Sequence, residues 1–168
     1  MIMSNYDKNS IKSRASDKDK EVQDFFKKLK RKKPRDLDMI AKKLHEEVFQ
    51  EIDCLDCANC CRSISPFLID KDITRISAHL KIKPAQLTEK YLRMDREGDY
   101  VFNTSPCPFL MNDNYCMIYE KRPRACREYP HTDRNRFIQI LDLTRKNSFV
   151  CPAVQLFIEK LMLRYKDL

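Results

Sequence analysis

The run Cys54-Leu-Asp-Cys-Ala-Asn-Cys-Cys places Cys54, Cys57, Cys60 and Cys61 in one short knuckle. A C-x-x-C pair turns two thiols toward the same side, which is why it recurs in zinc knuckles and iron–sulfur loops. The third cysteine continues that curl. Cys61 fits less easily, because adjacent side chains diverge. Either Cys60 and Cys61 serve different centres, or one of them is spare. Four more cysteines follow at Cys107, Cys116, Cys126 and Cys151, and two of these, Cys107 and Cys151, precede a proline. Eight thiols match two four-coordinate sites, or one cubane cluster and one zinc.

Four disulfides would use the same cysteines but need an oxidising compartment. Met1 to Ser16 is polar and carries no apolar signal core, and no apolar run approaches the ~20 residues of a transmembrane helix. The expected setting is the cytoplasm, where clustered thiols act as metal ligands. Thiolates select zinc, copper(I) or iron–sulfur over magnesium or calcium. An all-cysteine zinc would be structural and redox-inert, whereas an iron–sulfur centre admits electron transfer or catalysis. Either carries negative charge that cations would stabilise. Arg62, Arg122, Arg124 and Arg127 are placed in sequence to do so, or else they are surface charges. His131 is a substitute ligand or a polar surface histidine.

Several further motifs keep company with these cysteines. They are Cys107-Pro108-Phe109, Cys116-Met117-Ile118-Tyr119, Arg122-Pro123-Arg124-Ala125-Cys126-Arg127-Glu128-Tyr129-Pro130 and Cys151-Pro152. Together with the knuckle they make residues 53–152 resemble the YkgJ-type CxxCxxCC proteins. The resemblance implies a zinc- or iron-chelating domain that uses all eight cysteines as metal ligands. A related cysteine region occurs in flagellin lysine-methylating proteins, but no separate methyltransferase domain is recognisable here, so that activity is not carried over.

Charge is distributed unevenly. Residues 8–43 hold 14 Lys and Arg against 6 Asp and Glu, while the remainder is balanced. Residues 1–34 therefore read as a basic, partly disordered arm, with 1–16 disordered, and 35–168 as the cysteine-cluster domain. Phe25-Phe26 amid Lys27, Lys28, Lys30, Arg31, Lys32 and Lys33 could meet nucleic acid or another polyanion. The plainer reading is a helix docked by its apolar stripe.

Helical spacing recurs at Val22, Phe25, Phe26 and Leu29 up to Pro34, and again at Leu37, Ile40, Ala41, Leu44 and Val48. Asp70 or Asp72 can cap a helix bearing Ile73, Ile76 and Leu80, and Pro84 can open one with Leu87 and Tyr91. Val154, Phe157, Ile158, Leu161, Met162 and Tyr165 stripe a last helix behind Cys151-Pro152. Tyr100–Asn103 and Phe137–Leu143 have strand composition and could pair. The expected fold is mainly α with a small β element: one small domain whose helices surround an irregular, metal-stapled loop core.

One glycine in the whole chain excludes glycine-rich phosphate loops. His45, His79 and His131 are present, but no cysteine stands alone as a nucleophile beside them, and His45-Glu46-Glu47 lacks the second histidine of a zinc-protease helix. The leading expectation is a metal-binding cysteine-cluster protein holding zinc or an iron–sulfur centre. The alternatives are an iron–sulfur-dependent oxidoreductase or modifying enzyme, and a zinc protein associated with RNA or ribosomes through its basic arm.

Overall fold

The computed structural model describes residues 8–168, which form two compact units. One comprises residues 8–53 and Pro130–Leu168, the other Cys54–Tyr129.

The first unit is helical. Helix α1 spans Lys8–Lys32 and α2 spans Leu37–Glu51. The stretch 8–16, expected from sequence to be disordered, is thus helical, while 1–7 lie outside the described residues. The reason is that Ile11 and Ala15 extend the stripe of Val22, Phe25, Phe26 and Leu29 upstream, and all six are buried. One apolar residue per turn among lysines, serines and aspartates is too sparse a signal to read by eye. The helix stops where expected, with Lys33 in the left-handed region (φ 48°) and donating its N–H to the Leu29 carbonyl, just before Pro34. In α2 the five positions read as the apolar face, Leu37, Ile40, Ala41, Leu44 and Val48, are the five buried ones.

The expected strand at 137–143 does not form. Phe137–Ile140 is a 3-10 turn leading into helix Leu141–Ser148. Phe137, Ile140, Leu141 and Thr144 are buried at helical spacing, and Asp38 of α2 accepts the backbone N–H groups of Arg136 (2.8 Å) and Phe137 (2.9 Å). A helix-start cap from 98 residues away thereby overrides the β-branched local composition. The unit closes with the expected helix Pro152–Arg164, whose Phe157 meets Phe137 edge-on at 5.4 Å.

The second unit begins with two short helical turns, α3 (Cys54–Cys57) and α4 (Asn59–Ser63), separated by Ala58 in the left-handed region. Then follow β1 (Phe67–Leu68), α5 (Asp70–His79), α6 (Pro84–Tyr91), β2 (Leu92–Met94), β3 (Tyr100–Phe102), a 3-10 turn at Tyr119–Lys121 and α7 (Arg124–Glu128). Helices Leu141–Ser148 and Pro152–Arg164 of the first unit are α8 and α9. The sheet is antiparallel in the order β1-β3-β2, pairing Leu68 with Tyr100 and Met94 with Tyr100 across the central strand. Tyr100–Phe102 is therefore a strand as expected, but its partners are β1 and β2. Its turn holds the chain's one glycine, Gly98, at φ 86°. Leu68, Ile73, Ile76, Leu87, Leu92, Phe102, Phe109 and Ile118 form the apolar core, with Cys107 and Cys116 packed against it. The mainly α fold with a small β element is as expected.

In the first unit, Arg145 of α8 grips Asp19 of α1 with two hydrogen bonds, of 2.6 and 2.7 Å. These bonds hold the Asp19 carboxyl below its usual range. A depressed acid stabilises the fold above its unfolded pKa, and that contribution fades as pH falls through the lowered value. Asp19→Asn should cost about 1 kcal/mol at pH 7 and nothing at pH 2, as read by urea unfolding at the two pH values. Phe26→Ala should cost about 3–5 kcal/mol in the same assay. An unchanged midpoint would mean that α1 is not docked.

Candidate metal centre

Seven of the eight predicted ligands lie in the second unit, and Cys151 lies in the first, at the head of α9. There Cys151 is buried, and its backbone N–H bonds the Asn147 carbonyl at 2.8 Å. None of the eight cysteines is in a disulfide.

The knuckle is built by the break at Ala58. Cys54 and Cys57 open and close α3, and the left-handed Ala58 redirects the chain so that α4 carries Cys60 and Cys61. The two vicinal sulfurs lie 4.0 Å apart. Cys54 is exposed; Cys57, Cys60 and Cys61 are half-buried.

Three thiols arrive from the far side of the unit. Cys107 donates its backbone N–H to the Cys61 carbonyl at 2.9 Å, and the Ser105 hydroxyl bonds the Arg62 carbonyl at 3.0 Å, so this strap lies directly on α4. Cys116 sits in a hairpin, bridged to Leu110. Cys126 lies in the middle of α7, whose start is fixed from α5: buried Asp72 accepts the Arg124 N–H at 3.1 Å and pairs with Arg75. Arg75 in turn donates to the Arg122 carbonyl at 2.9 Å. Asp72 is thus more than a helix-end residue of α5. It accepts the Ile69 N–H at 3.3 Å and anchors the segment that presents Cys126.

Electrostatics divide the thiols. Burial pushes Cys126 up to about 12, and the charges of Cys61, Cys107 and Cys116 push in the same direction. Cys107 is pushed up to about 11 by burial, with Cys61 and Cys116 adding to it. Cys116 is raised by burial and by Cys61. Cys61 moves the other way, to about 7, chiefly because Cys60 hydrogen-bonds it, helped by the positive charges of Arg62 and Arg122. Cys61, Cys107, Cys116 and Cys126 therefore stand within one another's field. Among the described residues, no three His, Cys, Asp or Glu side chains already stand as a ligand set for a metal ion. The four grouped thiols nonetheless supply the donor chemistry that zinc and iron–sulfur centres use.

The arginines divide as well. Arg122 lies 3.8 Å over the Tyr119 ring, donates to the Tyr119 carbonyl at 2.8 Å, and favours the thiolates of Cys61, Cys116 and Cys126. Arg62 favours that of Cys61. Arg124 is exposed and pairs with Glu128, and Arg127 is exposed. His45 bonds Thr132 at 2.8 Å in the first unit, where His131 also lies.

A family model for CxxCxxCC, described as a "putative zinc- or iron-chelating domain", matches residues 53–151 and so takes in all eight cysteines. The chain belongs to the CxxCxxCC family. Among the described residues no helix is long and apolar enough to cross a membrane. The chain is also similar to the uncharacterized protein MJ0661 of Methanocaldococcus jannaschii, 30% identical over 82 residues. That match takes in 47% of this chain and 44% of the relative, so the chain spans less than half the length of the relative it matches. No solved structure matches the chain.

Cys61 should be the most reactive of the four thiols in metal-free protein. Its iodoacetamide alkylation rate should rise with pH through about 7, while Cys107 and Cys126 stay slow across that range, because the thiolate is the nucleophile. Mass spectrometry of time-resolved alkylation checks this. Equal rates at all four positions would contradict it.

Proposed function

We propose that this CxxCxxCC protein chelates zinc or an iron–sulfur centre through Cys61, Cys107, Cys116 and Cys126. The observation that carries the reading is that separate pieces of chain are tied together around these thiols: the Cys107 N–H bonds the Cys61 carbonyl at 2.9 Å and Asp72 holds the start of the helix bearing Cys126, with Arg62 and Arg122 as counter-charges. Burial makes free thiolates of Cys107, Cys116 and Cys126 unfavourable, and the neighbouring thiols add to that penalty. A cation between them removes that penalty and releases their protons. In this reading Cys61, not Cys60, is the member of the vicinal pair that joins the centre. Cys54, Cys57 and Cys60 remain as a second, more exposed group, and the expectation of more than one centre rests on them.

Within the centre the protein's own groups have separable roles. The Cys107 strap, the Cys116 hairpin and α7 bring three thiols to α4, and the apolar core beneath Cys107 and Cys116 keeps water from that side. Asp72 holds the start of α7. Arg122, kept over Tyr119, offsets the negative charge that several thiolates carry. A bound zinc would supply a structural staple; an iron–sulfur cluster would supply electron transfer.

Metal analysis and a visible spectrum of anaerobically purified protein test the proposal. Zinc with no colour supports the staple, and a brown protein with absorption near ~400 nm supports the cluster. Cys126→Ser should lose the metal, with protease resistance falling because binding and folding are coupled. Cys57→Ser should retain the four-thiol centre. If Cys57→Ser emptied the protein while Cys126→Ser left it loaded, the assignment of the four thiols would be wrong.

A further inference from the structure

Asn114 occupies the tip of the hairpin that carries Cys116, in the left-handed region at φ 71°. The turn itself is closed by other groups: Asn114 N–H to the Met111 carbonyl at 3.1 Å, Met111 N–H to the Tyr115 carbonyl at 2.8 Å, and Tyr115 N–H to the Asp113 carboxylate at 3.0 Å. The Asn114 side chain is therefore not needed to make the turn. It reaches out of the hairpin to both halves of the knuckle. Its Nδ2 donates to the Asp56 carbonyl in α3 at 2.9 Å, and its Oδ1 accepts from an Arg62 guanidinium nitrogen. The other terminal nitrogen of Arg62 donates to the Cys57 carbonyl at 3.3 Å. One amide and one guanidinium thus close a ring of contacts through α3, α4 and the hairpin.

The ring ties the Cys116 hairpin to α3 and, through Arg62, to α4, the turn that carries Cys61 of the proposed centre. Cys107 is joined to Cys61 by a backbone hydrogen bond, and Cys126 is held from Asp72. Cys116 and α3 are joined by Asn114. An amide suits this task, since it offers a donor to a carbonyl and an acceptor to a guanidinium at once. The contact to Arg62 is charge-assisted. It also fixes the arginine whose charge favours the Cys61 thiolate.

We propose that Asn114 and Arg62 form a clasp that sets the approach of the Cys116 hairpin to the knuckle, making Asn114 a positioning residue for the metal centre. This rests on the chelation reading above. Partners that orient ligands typically contribute 10–100-fold to metal affinity.

Asn114→Gly tests the clasp without disturbing the turn, because glycine adopts positive φ freely. Full-length Asn114→Gly should bind zinc about 10–100-fold more weakly than wild type in a chelator competition. Saturated with cobalt(II), it should lose sulfur-to-cobalt charge-transfer intensity per bound ion, a change that weaker occupancy from a general loss of stability would not produce. Asn114→Asp keeps the acceptor for Arg62 but loses the donor to the Asp56 carbonyl, and should recover only part of the affinity. In metal-free full-length protein, amide hydrogen exchange across 54–63 should be faster in Asn114→Gly than in wild type. Equal zinc affinity and an unchanged cobalt spectrum in Asn114→Gly would overturn the clasp, as would unchanged exchange across 54–63. If wild type bound no metal, the chelation reading would fall, and the exchange comparison would still decide the clasp.

Discussion

The constraint on which the proposed centre depends is that thiols from separate pieces of chain are gathered where burial disfavours the thiolates of Cys107, Cys116 and Cys126. Cys61, Cys107, Cys116 and Cys126 come from four separate pieces of local structure: a short helical turn, a strap, a hairpin and a one-turn helix. None of these pieces is long enough to be stable alone. Each is held by a few specific hydrogen bonds, and the apolar core of Phe102, Phe109 and Ile118 underlies Cys107 and Cys116. Such a construction gathers thiols whose charged forms burial disfavours at three of the four positions, so a cation at their centre would bring the four pieces into agreement. The two arginines supply part of that compensation in the protein itself.

The first unit has a different physical basis. Its helices bury regular apolar stripes, and its charged contacts lie mostly at the surface. Lys30 to Asp142 and Lys18 to Glu159 are exposed pairs of small energetic weight. Much of the basic surplus of residues 8–43 thus sits on the outer faces of packed helices, where Lys28, Arg31, Lys32 and Lys33 are exposed. The apolar stripe, not the charge, determines where α1 goes.

What could be read from sequence follows the same division. In α2 and α9 a dense apolar stripe at helical spacing announces itself, and Pro84 and Pro152 mark the helix starts that the structure has. Ile11 and Ala15 were too widely spaced among polar residues to extend α1 by inspection. The segment at Phe137 has strand composition, yet it is helical because Asp38, far away in sequence, caps it. The eight cysteines were legible as a set from their motifs alone. How the separate pieces of chain that carry them are tied together was not, because contacts such as the Cys107 N–H to the Cys61 carbonyl join residues far apart in sequence. The roles of Asp72 and Asn114 were equally hidden. Each acts on a backbone carbonyl or N–H about 50 residues away, and no spacing rule reports such contacts.

The most direct test of the account is thiol protection, resolved by residue, on full-length protein loaded with its own metal. Alkylation followed by mass spectrometry should find Cys61, Cys107, Cys116 and Cys126 protected together and released together when a chelator is added. Protection of Cys54, Cys57 and Cys60 with those four left reactive, or protection that a chelator does not reverse, would contradict it.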